Sequence, residues 1–393
     1  MRFLSWLICA TALPSGLHAF PDTPFQTEGR WVVDSKGANF TYVGANWPGA
    51  ADVMIPEGLQ YQSIKSIVSK LKSLNMNVVR LTFAIEMIDD IKDGGGDVTI
   101  QKAFQTALGS NGDAVYQKVI ENNPQFGPST TRLQVYDAVV AELAKQQIYV
   151  HLDNHMSKGA WCCSTNDGNA WFGDTYFNGK KWPNLISLGL RNELRQPDTA
   201  GSSLPYDWST WYDQVTSAAN TANQANPNLL LFLSGLGFDT DLTPIPSAVD
   251  LGNGKKFSLG DFSYKNKLVL ELHNYANSAT DCSSIENSLW NSGFRATWPT
   301  AINKMPVVLT EFGFSQADSS YTSVYATCIK KLMPQWQSGW MVWVLSGSYY
   351  IRSGTQDFDE AWGLLTHDWS TWRNKDAITA LKGMIDATLT SVT

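Results

Sequence analysis

The stretch "YQSIKSIVSKLKSLNMNVVRLTF", residues 61–83, joins two different periodicities. Ile64, Ile67, Val68, Leu71 and Leu74 recur at helical spacing and fall on one face. "NVVRLTF", residues 77–83, then follows as a short apolar strand ending beside Arg80. Working outward, the same alternation returns. A hairpin-like "WVVDSKGANFTYVGANW" leads into a first strand. "TRLQVYDAVVAELAKQQ" reads as helix and "IYVHLDNH" as strand. "NLISLGLRNE" is a strand, "DWSTWYDQVTSAANTANQ" a helix and "NLLLFLSGL" a strand. "KLVLELHNY", "PVVLTEFG" and "GWMVWVL" complete eight strands, with a helical "SSYTSVYATCIKKL" between the last two and "NKDAITALKGMIDATL" as a closing helix. Strands separated by helices pair in parallel. Eight of them in one chain predict an α/β fold, a single-domain (β/α)8 barrel. An open doubly wound sheet would want a Gly-rich phosphate loop after its first strand, and "VGANWPGA" is not one.

The chain has 393 residues. Its opening, "MRFLSWLICATALPSGLHA", has a basic residue, a short apolar core and small residues, the layout of a secretory signal over residues 1–19. The expected domain is 20–393, secreted and acting as a monomer. Removal of the signal takes Cys9 and leaves Cys162, Cys163, Cys282 and Cys328. Four cysteines allow three complete pairings and the sequence does not choose among them. Cys282–Cys328, with the neighbours Cys162 and Cys163 joined to each other, is the favoured one. The net charge of −7 argues against nucleic acid and against an anionic membrane as partners. Asn39-Phe40-Thr41 is a glycosylation sequon. Sixteen tryptophans and fourteen tyrosines suit sugar rings, and equally a large core.

Two segments interrupt the rhythm. Residues 84–130 form an excursion after the second strand, with a helix expected near 99–120. Residues 155–184 follow the third strand with Gly, Asn, Asp and aromatics and no helical period. A barrel builds its site from the loops at the C-terminal ends of its strands, so two elaborate neighbours imply a deep cleft.

Those strand ends carry Arg80, His155, Asn192, Glu193, His273, Tyr275, Glu311 and Trp343. Each alone has an ordinary reading: salt bridge, structural histidine, core aromatic. Their joint placement around one mouth is the informative point. Two carboxylates across such a mouth can hydrolyse a glycosidic bond with neither metal nor cofactor. Glu193 would donate the proton and Glu311 would attack, with Arg80 and Tyr275 supporting its charge. Asn192 would meet the 2-hydroxyl and Trp343 would form an apolar floor. A serine triad lacks its G-x-S-x-G elbow. A metal site through His151, Asp153 and His155 is a minor alternative.

"RNE", "HNY", "TEFG" and "WMVW", in that order, resemble glycoside hydrolase family 5, the cellulase-like retaining β-glycosidases. The resemblance runs from about Trp31 to Arg373. "LDNHMSKGAWCCSTNDGNAWFGDTYF", "SLGLRNELR", "LSGLGFDTDL" and "GSYYIRSG" are similar to its plant and fungal cellulase-like branch. The resemblance implies Glu193 as acid/base and Glu311 as nucleophile. It implies Arg80, His155, Asn192, His273, Tyr275 and Trp343 as substrate-binding and supporting residues. The chain departs from the pattern at "FNGKKWPNL", which leaves no room for a helix before the fourth strand and points to an error in the gene model. The expected substrate is an oligo- or polysaccharide: a β-linked glucan, mannan or related glycoside. Exo action on small glycosides and a non-catalytic carbohydrate-binding barrel are the competing readings.

Overall fold

A computed structural model describes residues 21–177, 187–198 and 203–392. The proposed signal segment, and residues 178–186, where the sequence leaves no evident room for a barrel helix, lie outside the described residues. Eight parallel strands close into a barrel. They are β1 (Val43–Trp47), β2 (Val78–Ala84), β3 (Tyr149–Met156), β4 (Ser187–Gly189), β5 (Leu230–Ser234), β6 (Leu268–Asn274), β7 (Val307–Phe312) and β8 (Gly339–Val342). This is the (β/α)8 barrel expected from the alternation.

Helix α1 (Ile64–Ser73) begins at Ser63, whose side chain accepts from the Ser66 amide, and buries Ile64, Ile67, Val68 and Leu71. The excursion after β2 is more helical than its composition suggested. It holds α2 (Ile85–Asp93), α3 (Ile100–Leu108) and α4 (Gly112–Asn122) before α5 (Arg132–Lys145). The single helix expected near 99–120 is two, broken at Gly109–Asn111, where Gly109 takes φ +60°. After β3, residues 157–177 form an irregular loop. Helices α6 (Trp208–Ala225), α7 (Cys282–Ser292), α8 (Val324–Gln335) and α9 (Lys375–Ser391) complete the outer ring among the described residues. α7 has no counterpart in the sequence reading, because it buries only Ile285 and Leu289 and so shows little periodicity.

The barrel is closed below by the three-stranded antiparallel sheet of Gln26–Glu28, Trp31–Val33 and Asn39–Phe40. Phe25 and Phe40 stack at 4.6 Å, and with Tyr42, Phe232 and Val269 they form a buried apolar plug. The plug leaves only the upper mouth open to chemistry. Cys282 and Cys328 form a disulfide across a sequence separation of 46, joining α7 to α8. Closing a loop of that length stabilises the fold by about 4 kcal/mol in the chain-entropy model. Cys162 and Cys163 form the second disulfide, so the favoured pairing is the one present. No described helix is long and apolar enough to cross a membrane.

Candidate active site

β2 places Arg80 at the centre of the barrel, fully buried. Its Nη1 donates to Glu311 Oε1 at 2.5 Å and to Asn46 Oδ1 at 2.8 Å. Its Nη2 donates to Asn192 Oδ1 at 2.8 Å and to Glu271 Oε1 at 3.0 Å, and stands 3.0 Å from Asp153 Oδ1. One cation thus serves three carboxylates. Burial works against the charge on Arg80, and Asp153, Glu271 and Glu311 outweigh it, holding the guanidinium above its ordinary value. Burial also opposes charge on Asp153, but Arg80 and His155 bring it down to about 2. Glu271 is likewise held low against burial, chiefly by Arg80.

Glu311 on β7 accepts from Tyr275 Oη at 2.8 Å through its second oxygen, so both oxygens are occupied. Glu193 lies four residues beyond β4 in a left-handed conformation, φ +48°. Its amide donates to Asp239 Oδ2 at 2.7 Å, which holds this otherwise unfavourable turn. His273 Nδ1 stands 3.1 Å from Glu193 Oε1 and 3.7 Å from Glu311 Oε2. Burial disfavours its charge, yet Glu311, Glu193, Glu271 and Asp239 raise it well above the usual histidine range. Oxygens of Glu193 and Glu311 come within 4.8 Å of each other.

Above this network is a cavity of about 150 Å³ lined by His155, Glu193, Tyr275, Glu311 and Trp343, five of the eight sequence candidates. Arg80 and His273 lie beneath it. His155 stacks on Trp343 with centroids 5.7 Å apart, and its Nδ1 donates to Asp153 Oδ2 at 2.7 Å. The Asn192 side chain is fully buried, and its Nδ2 donates to Cys162 Sγ and Cys163 Sγ, both at 3.6 Å. A second space of about 410 Å³ continues past Tyr275 and Trp343 to Arg352, Phe358 and Trp362.

Sequence reasoning missed Asp153, Glu271 and Asp239 as members of the network. Glu271 carried a readable signal: it is a charge inside the apolar run "LVLELHN", two residues before His273 and so on the same face. The two arginines of "LRNELR" were also passed over. Arg191 donates to Asn169 O at 2.6 Å and Ser157 Oγ at 3.1 Å, while Arg195 donates to Ser164 O at 2.8 Å and to both oxygens of Asp167. Together they fasten the loop after β3 to the segment carrying Glu193. The alternative metal set does not form among the described residues. His151 Nδ1 pairs with Ser187 Oγ at 2.7 Å, and Asp153 is taken by Arg80 and His155. Glu193, His273 and Glu311 bring ligand atoms together, but Arg80 and Tyr275 already hold both Glu311 oxygens.

Gly189, the last residue of β4, makes this network possible. A Cβ there would stand 3.0 Å from Asp153 Oδ1, 3.3 Å from His151 Nε2 and 3.4 Å from Glu271 Oε2. Gly189→Ala is expected to destabilise the protein by about 1–3 kcal/mol through crowding of buried polar atoms. Denaturant unfolding measures this, and an unchanged midpoint would contradict it.

Residues 33–348 match the family model for cellulase (glycosyl hydrolase family 5). A glycosyl hydrolase 5 family protein of Chamaecyparis obtusa is 33% identical over 405 residues, covering 96% of this chain and 67% of its own. An endoglucanase of Paenibacillus polymyxa is 20% identical over 88% of this chain and 84% of its own. Among solved structures, an endocellulase from Pyrococcus horikoshii in complex with cellotetraose superposes with a TM-score of 0.66 at 16% identity, covering 92% of this chain and 98% of that one. That last likeness concerns the fold. The family match and the cypress relative concern the sequence over most of its length, and by them the chain belongs to glycosyl hydrolase family 5.

Proposed function

We propose that the protein is a secreted, retaining β-glycoside hydrolase acting on β-linked glucan, with Glu311 as nucleophile and Glu193 as general acid/base. One observation carries the reading: two carboxylates within 4.8 Å at one barrel mouth, only one of them bonded by both Arg80 and Tyr275. Retaining glycosidases hold their carboxyl groups about 5–5.5 Å apart, whereas inverting ones need room for a water between them. Two charge-assisted donors orient Glu311 as an attacking anion. Glu193 lines the same cavity with neither a guanidinium nor a phenol bonded to it among the described residues, and His273 Nδ1 lies 3.1 Å from its Oε1. In the first step Glu311 bonds to the anomeric carbon while Glu193 protonates the departing oxygen. In the second, Glu193 takes a proton from water, and that water displaces Glu311. Trp343 and His155 give the ring a flat wall.

Glucan is favoured over mannan because two of the three proteins compared above are named as an endoglucanase and an endocellulase. Secretion is supported by the opening segment and by two disulfides, which persist in oxidising compartments. Release of small products from a chain end is a second reading with its own observation. Arg352 lies 3.8 Å over Trp161 and so joins the hairpin after β8 to the loop after β3 across one end of the mouth. Purified protein assayed on β-1,4- and β-1,3-glucans, mannan and aryl β-glycosides tests the main reading, with glucan turnover as the expected result. An end-labelled oligosaccharide separates the two modes: a ladder of sizes excludes chain-end action, and no turnover on any substrate overturns the hydrolase reading.

A further inference from the structure

Cys162 and Cys163 line the same cavity as Glu193 and Glu311. Behind them Asn192 donates to both sulfurs at 3.6 Å. The orientation of that amide is set by chemistry rather than by choice. Arg80 is a donor only, so the atom it meets at 2.8 Å has to be the Asn192 oxygen, which leaves the NH₂ facing the disulfide. Cys162 and Cys163 pack against the cluster of Ala50, Ala84 and Met156. Arg195 grips Ser164 O, the next residue along, at 2.8 Å. The disulfide is therefore held by Asn192 and by this apolar cluster, its chain is fastened at Ser164, and it lines the cavity. The same cavity is lined by Ala50, Ala51, Ala160 and Trp161 as apolar groups and by Glu193, Tyr275 and Glu311 as polar ones.

We propose that the Cys162–Cys163 disulfide is a substrate-contacting wall of this cavity, against which a sugar ring packs its C–H surface while its hydroxyls and anomeric carbon face the carboxylates. The proposal rests on the reading of the cavity as a sugar site. Disulfide sulfur is polarisable, donates no hydrogen bond and accepts only weakly, so it offers dispersion to carbon and little to a hydroxyl. Such contacts are made equally in the ground and transition states. Their loss raises KM and leaves kcat in place, whereas damage to the glutamate pair lowers kcat.

The test compares Cys162→Ala/Cys163→Ala with wild type on 4-nitrophenyl β-cellobioside, and measures cellotetraose binding by calorimetry in the Glu311→Gln background. KM and Kd are expected to rise roughly tenfold, with kcat within about twofold. Cys282→Ala/Cys328→Ala, which removes the distant disulfide, is expected to keep KM and Kd. If the double alanine variant fails to fold, wild type treated with a water-soluble phosphine serves instead. Cys162 and Cys163 are reached through the cavity while Cys328 is buried, and peptide mapping shows which pair has opened. KM rising on reduction and returning on reoxidation supports the wall. Unchanged KM and Kd overturn it, as does a fall in kcat at constant KM. Cellotetraose binding without any turnover would defeat the hydrolase reading and leave the wall to be judged by Kd alone; no binding by wild type overturns both.

Discussion

Glu311→Ala is expected to lower kcat/KM by about 10⁴-fold or more on every substrate, whatever its leaving group. The reason is that, among the described residues lining the cavity, the only other carboxylate is Glu193, which the reading assigns to proton transfer. Asp153, Glu271 and Asp239 are buried beneath the mouth, and the first two are bound to Arg80. Glu193→Ala should behave differently. A substrate with a leaving group as good as dinitrophenol needs no proton, so the first step survives in this variant and the second becomes slow. A natural glucan oxygen does need the proton, and there the loss is on the order of 10²–10⁴. Azide sharpens the contrast. It can replace the missing nucleophile in Glu311→Ala from one face of the sugar, or intercept the glycosyl-enzyme in Glu193→Ala from the other. The two variants should yield azides of opposite anomeric configuration. Steady-state rates across an aryl series, with product configuration by NMR, read both effects. The same leaving-group dependence in both variants would remove the assignment of roles.

The second large effect is on stability. Arg80→Ala leaves the fully buried Asp153 and Glu271, and Glu311 at the cavity floor, without their shared cation. Removing one partner of a buried ionic cluster typically costs about 3–5 kcal/mol. The loss should depend on pH in a definite direction. Asp153 is held at about 2, and Glu271 is also held below its ordinary range. Depressed carboxylates contribute stability that is fully present above their unfolded values, near 4, and is lost as pH falls through the folded ones. Without Arg80 burial dominates, and ionising these groups becomes a cost that grows as pH rises. The gap between wild type and variant should therefore be widest above pH 5 and narrow toward pH 3. Denaturant unfolding across that range measures it; a gap that stays constant, or widens in acid, would contradict the cluster's role.

Much of the barrel was legible because its strands are apolar runs and its helices show one-sided spacing. Ile64 through Leu74 and then Val78 through Phe83 are the clearest example. The mouth was legible for the same reason: Arg80 stands out as a charge within such a run, and Glu193, His273 and Glu311 as polar residues at or just beyond the ends of others. What escaped notice depends on contacts between distant segments. Asp239 supports Glu193 from a loop 46 positions on, and no local pattern announces that bond. The disulfide wall escaped in the same way. Two adjacent cysteines can be recognised as a pair, but only the fold brings them against Asn192 and into the cavity.

The two-carboxylate mechanism meets its most direct test in covalent trapping. A 2-deoxy-2-fluoro β-cellobioside with a dinitrophenyl leaving group withdraws charge from the oxocarbenium-like transition state, which slows both steps, while the activated leaving group keeps the first accessible. Mass spectrometry of the digested protein should then find one added fluorosugar, on the peptide bearing Glu311. A label on Glu193, or no adduct together with hydrolysis that inverts the anomeric centre, would contradict it.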